Sequence, residues 1–201
     1  MSHDTWIHRV VRVGVRPLVG TPITPNHLTT LRLVTGLAAA AAFAVGDPAW
    51  GAWGGAMFVF SVLLDRADGE LARLGGASSA SGHKYDLVAD ALCNALVFPA
   101  IGLGLRDGSL GLWAAVMGAV AGVAIAVILT LTLRLESLEG ERAAELQGRA
   151  GFDPDDAVLL VPVFIWLGWA EGLIAAAFVG APGVAIYMFL KFQRRLSGEA
   201  G

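Results

Sequence analysis

Cysteine is almost absent from this chain: Cys93 is the only one in 201 residues, and it lies in an apolar stretch. A single thiol excludes an intrachain disulfide, a redox pair and a cysteine zinc cluster. Its surroundings suit a small core residue. Charge is also scarce, at 15% of residues against 56% hydrophobic residues and a mean hydropathy of +0.65. Those proportions argue against a soluble globular protein and for one embedded in a bilayer. The opening residues MSHDTWIHRVVRVGVRP have neither the apolar core nor the cleavage site of a signal peptide. No internal repeat, low-complexity tail or long linker divides the chain, so residues 1–201 read as one membrane domain. The formal net charge of -3 says little about partners, because the charges cluster in short stretches between apolar runs.

Those runs predict an all-α integral membrane protein. About 20 mostly apolar residues are needed to cross the hydrocarbon, and six segments qualify: Thr29–Val45, Ala49–Leu64, Tyr85–Leu105, Leu110–Leu135, Asp156–Trp169 and Gly172–Leu190. Residues 1–20 precede them as an arm whose arginines alternate with Ile and Val from Trp6 to Leu18. That pattern suits a helix at headgroup level better than a nucleic-acid patch.

Orientation follows from the basic residues. Arg9, Arg12, Arg16 and Arg32 precede or open the first span; Arg66, Arg73 and Lys84 lie between the second and third. Arg134, Arg142 and Arg149 lie between the fourth and fifth, and Lys191, Arg194 and Arg195 follow the sixth, which leaves only Arg106 for the other face. Both termini are therefore expected in the cytoplasm. The short turns at Asp47, Asp107 and Glu171 then face outward, where Trp50, Trp53, Trp113, Trp166 and Trp169 can straddle the interface.

Against this background the segment from Asp65 to Asp90, DRADGELARLGGASSASGHKYDLVAD, stands out. An ionisable residue at bilayer depth costs about 2.5–3.5 kcal/mol on insertion scales, which makes such residues functional candidates. Asp65 and Asp68 share one helix face by their spacing, as do Asp86 and Asp90. A turn through GGASSASG would bring the two pairs together as hard oxygen ligands for Mg²⁺ or Mn²⁺. Magnesium shares its coordination readily with phosphates, so a phosphate-bearing substrate is expected. Arg73 offers a fork of donors one turn on, while Gly69, Ala72 and Gly82 leave room for a ligand near the backbone. Taken singly, an aspartate pair is an ordinary solvated face and a Gly/Ser run an ordinary loop. Together, at a membrane boundary and without a lysine cluster, they read as a site that opens to the cytoplasm.

The run also fits, without gap or mismatch, the pattern D-x-x-D-G-x-x-A-R-x8-G-x3-D-x3-D, as Asp65, Asp68, Gly69, Ala72, Arg73, Gly82, Asp86 and Asp90. In this the chain resembles the CDP-alcohol phosphotransferase family, and the PNHLTTLR opening of the first span is similar too. The resemblance implies a homodimer of six-helix protomers that transfers a phosphoalcohol from a CDP ester to a hydroxyl and releases CMP. It implies that Asp65, Asp68 and Asp86 bind two metal ions. Asp90 would stand close to them, as a further ligand or as the group that takes the acceptor's proton, with Asp86 beside it in the catalytic set. Gly69, Ala72, Arg73 and Gly82 would contact the CDP group, with Asn26 and Thr29 as further contacts.

The motif is silent on the acceptor. Inositol-phosphate-using relatives tend to place arginines where this chain has Asp155 and Asp156, a departure that favours serine, choline, inositol or a lipid hydroxyl. The favoured reading is phosphatidyl transfer from CDP-diacylglycerol to a small polar alcohol in a prokaryotic inner membrane. Alternatives are transfer of a CDP-linked headgroup to a lipid alcohol such as diacylglycerol, a magnesium-dependent membrane prenyltransferase, and a divalent-cation transporter. His27 and His83 read as unremarkable residues, and Asp153 with Pro154 as a helix start.

Overall fold

The computed structural model describes residues 6–76, 79–139 and 158–198. The described residues are helical apart from short turns. The amphipathic helix α1 (Trp6–Val15) is followed by α2 (Pro25–Val45), α3 (Pro48–Gly75), α4 (Ala80–Gly104), α5 (Leu112–Glu139), α6 (Leu160–Trp166) and α7 (Ala170–Gly198). Four of them, α2, α4, α5 and α7, are long and apolar enough to cross a bilayer. α3 is as long but carries charges through its last third, and the described part of α6 has seven residues. Arg142, Arg149 and the stretch Asp153 to Asp156 lie outside the described residues.

Local chemistry explains the helix starts. Asp47 caps α3 by accepting from the amides of Ala49 at 2.9 Å and Trp50 at 3.3 Å, with Pro48 in the first turn. At α2, His27 Nδ1 accepts from the Thr24 amide at 3.2 Å, which gives that histidine a structural task. Ser79 Oγ accepts from the Gly82 amide at 3.0 Å and starts α4 five residues before the expected Tyr85. Gly82 and His83 therefore sit in a helical turn, whereas the Gly/Ser composition reads as a loop. α2 ends at Gly46, where φ is 83° and an added Cβ would run into the carbonyl of Gly104.

α2 is the hub, packed on both α3 and α4; α4 packs on α5, α5 on α7, and α1 and α6 lie against α3. The main core joins Ala39 and Phe43 of α2, Phe58 and Val62 of α3, Val97 and Ile101 of α4, Val161 of α6 and Ile174 of α7. A second cluster seats α1 through Val11 and Val15 on Leu71 of α3. Cys93 is buried, in keeping with a small core residue. From Trp50 to Asp65 along α3 is roughly 22 Å at 1.5 Å per residue, so Trp50 and Trp53 lie at the opposite end of this helix from Asp65 and Asp68.

Candidate active site

α3 continues past its apolar part without a break, so Asp65 and Asp68 project from the same regular helix toward α4. Because α2 packs on both neighbours, the carboxylates of Asp65, Asp68 and Asp86 converge, with one oxygen of each within 4.8 Å of the others. Asp68 is buried, and its Oδ2 accepts from Thr29 Oγ1 of α2 at 2.7 Å. Three oxygen ligands so close together, one of them buried, fit a hard divalent cation by both charge and donor type. Like charges at this separation repel strongly in a low-dielectric setting, and a bound cation relieves that.

Asp90 is not one of the three whose oxygens gather within 4.8 Å, but it adjoins them through Arg32. Its Oδ1 accepts from Arg32 Nη2 and from Asn94 Nδ2, the latter at 2.6 Å. Arg32 lies at the centre of the cluster with its side chain 4% exposed; Nη1 is 2.8 Å from Asp65 Oδ1 and 3.2 Å from Asp86 Oδ1. One guanidinium thus touches three of the four aspartates. Arg66 adds a longer contact, 3.6 Å from Asp65 Oδ2.

Of the expected CDP contacts, Thr29 touches this centre through Asp68. Gly82 faces Asn26, since a Cβ added there would stand 3.1 Å from Asn26 Oδ1. Thr29 is 2% exposed and its hydroxyl is committed to Asp68. Ala72 is half-buried, and Gly69 is open apart from Arg73 Nη2 at 3.8 Å from an added Cβ. Arg73 Nη2 donates to Glu70 Oε1 at 3.1 Å, and Glu70 also accepts from Arg12 Nε at 3.3 Å and Nη2 at 3.4 Å. Burial by itself pushes the Glu70 carboxyl up, but the Arg12 and Arg73 guanidiniums outweigh it and hold it below the ordinary glutamate range. His83 is exposed in the first turn of α4.

Three residues at this end of the bundle escape a reading of the motif alone. Arg32 counts there as one more cytoplasmic charge, although a lone arginine inside the apolar run LRLVTGL is itself a signal. Asn94 is marked by its i+4 spacing from Asp90. Glu70 fills a variable position of the pattern, and its partner Arg12 is 58 residues away.

The sequence model of the CDP-alcohol phosphatidyltransferase family matches residues 22–179. Among solved structures, the chain is similar in fold to the Mycobacterium tuberculosis phosphatidylinositol phosphate synthase with CDP-DAG bound. The TM-score is 0.66 at 22% identity, over 94% of this chain and 92% of that one. No curated protein matches the sequence.

Proposed function

The chain belongs to the CDP-alcohol phosphatidyltransferase family and is a phosphotransferase, and on that premise we propose that it moves a phosphatidyl group from CDP-diacylglycerol to a small polar alcohol, releasing CMP. The observation that carries this reading is the convergence of Asp65, Asp68 and Asp86 at one end of the bundle. Two Mg²⁺ or Mn²⁺ ions held there would neutralise the donor's diphosphate and stabilise departing CMP.

The protein's own residues do the rest. Asp90 takes the proton of the attacking hydroxyl. The new bond joins the acceptor oxygen to the phosphorus that bears diacylglycerol; the bond from that phosphorus to the CMP oxygen breaks, and CMP carries away the electron pair. Arg73 contributes a fork of donors to a phosphate oxygen, while Asn26 with Gly82, and Gly69 with Ala72, line the approach of the cytidine diphosphate. Thr29 anchors the Asp68 carboxylate through its hydroxyl.

We place the aspartate end and both termini at the cytoplasmic face, with six spans and a homodimeric assembly in a prokaryotic inner membrane. The clustering of arginine on one set of connections and of tryptophan at the opposite end supports this orientation. The ligand bound in the solved neighbour, CDP-DAG, supports the choice of donor.

The test is CMP release by purified protein in lipid with Mg²⁺, CDP-diacylglycerol and a panel of alcohols, beside Asp90→Asn. Release that depends on one alcohol and disappears in the variant is the expected result and names the acceptor. No release with any alcohol would overturn the donor assignment, and release from CDP-linked headgroups with diacylglycerol would reverse the two roles.

A further inference from the structure

We propose that Arg32 and Asn94 divide the four aspartates by task, acting as positioning residues that hold Asp90 apart from the metal-facing trio and leave one of its oxygens free. The inference rests on the reading above, in which Asp90 takes the acceptor's proton. It is carried by the hydrogen-bond pattern. Both donors, Arg32 Nη2 and Asn94 Nδ2, go to the same oxygen, Asp90 Oδ1. Among the described residues no donor reaches Oδ2, which is left to face a substrate hydroxyl. Asp90 is also absent from the group whose oxygens gather within 4.8 Å.

Arg32 is built into this place. Its backbone carbonyl accepts from Ser61 Oγ of α3 at 2.9 Å, and one turn later Gly36 allows α2 to close on Cys93 of α4, where a Cβ would stand 2.5 Å from the sulfur. The buried guanidinium can then work from both ends, Nη2 on Asp90 and Nη1 on Asp65 and Asp86. A planar fork does this and a point-charge ammonium does not. Being a cation among the metal-facing carboxylates, Arg32 also opposes metal binding, so its loss has consequences of opposite sign for affinity and for turnover.

The test is Mn²⁺ binding to the purified protein in lipid nanodiscs, read from the EPR signal of free Mn²⁺, with kcat and KM for CMP release beside it. Arg32→Gln is expected to bind Mn²⁺ about tenfold or more tightly, because a like charge has been removed, while kcat falls at least tenfold. Arg32→Lys keeps the charge but loses the fork, so Mn²⁺ affinity stays within about twofold and kcat still falls. Asn94→Ala, which removes a donor to Asp90 and no charge, lowers kcat about tenfold with donor KM and Mn²⁺ affinity near wild type. Unchanged or weaker Mn²⁺ binding by an Arg32→Gln protein that elutes as wild type overturns the proposal, as does wild-type kcat in Asn94→Ala. Full activity in Asp90→Asn would instead remove Asp90 as the base and leave the Mn²⁺ result for Arg32→Gln standing. If CDP-diacylglycerol is not turned over, the Mn²⁺ measurement alone still decides the place of Arg32.

Discussion

Replacing Gly36 by alanine tests whether close approach of α2 to its neighbours sets the site. The new Cβ would meet Cys93 Sγ at 2.5 Å, Ser61 Oγ at 3.0 Å and Cys93 Cβ at 3.2 Å. Ordinary carbon contacts lie near 3.5–4.0 Å, so the sulfur must yield by about 1 Å. Overpacking of this kind costs about 1–3 kcal/mol. Alanine returns about 1 kcal/mol through helix propensity, which leaves a net loss of about 0–2 kcal/mol. At roughly 2–4 °C per kcal/mol for a chain of this size, the unfolding midpoint in detergent drops by at most about 8 °C. Because the net figure is small, the informative quantity is the coupling. Cys93→Ala removes the atom that clashes first, so the double variant should be more stable than the two single losses predict, by about 1 kcal/mol or more. CMP release should recover with it, since Ser61 and Arg32 belong to the same contact. Losses that add to within about 0.5 kcal/mol would refute the argument that Cys93 and Gly36 meet.

Thr29→Val keeps the shape but removes the donor to Asp68, and supporting hydrogen bonds of this kind are worth about 10–100-fold in metal affinity; a Mn²⁺ titration indistinguishable from wild type would rule that support out. Glu70→Gln probes the link between α1 and α3. The Glu70 carboxyl is held below its ordinary value of 4.5, so its stabilisation is fully present above that value and is lost as the pH falls through the lowered one. Its guanidinium partners are partly exposed, so the gap in unfolding midpoint should correspond to about 1 kcal/mol at pH 7 and close on acidification; a gap that widens in acid contradicts this assignment. On a Cys93→Ala background, Gly75→Cys should react with an impermeant maleimide only after the cells are opened, and Ser109→Cys in intact spheroplasts; the reverse pattern would invert the proposed topology.

The four long apolar helices were legible because each carries its own signal, a run near 20 residues with little charge. The aspartates were legible for a related reason, since helical spacing on α3 and α4 already pairs them by face. The start of α4 was not, because composition says loop from Gly75 to Gly82 while one hydroxyl, Ser79 Oγ, is enough to begin the helix. Arg32 illustrates a deeper limit. Counting basic residues by loop assigns it to the membrane boundary, whereas its task depends on α2 lying between α3 and α4, and only the packing shows that. The pairing of Arg12 with Glu70 is hidden in the same way, because no local pattern connects an arm to a helix 58 residues on.

The placement of Arg32 also bears on how such a cluster assembles at all. Four ionised aspartates near one another would oppose folding, and a cation cannot be counted on to arrive before the helices pack. With Arg32 against three of them and Arg66 beside Asp65, two of the four negative charges have a protein counter-charge before any ion binds. The two that remain uncompensated give the site its appetite for a divalent cation. A fully neutralised cluster would have no reason to take one, and a fully unpaired cluster would strain the bundle against itself. Asp68 fits this intermediate state: it is the most buried of the four, and its hydrogen bond is to the neutral hydroxyl of Thr29 rather than to a cation. Its charge is therefore the one a bound metal would relieve most, so Asp68→Asn should show the largest loss of Mn²⁺ affinity among the single aspartate-to-asparagine variants.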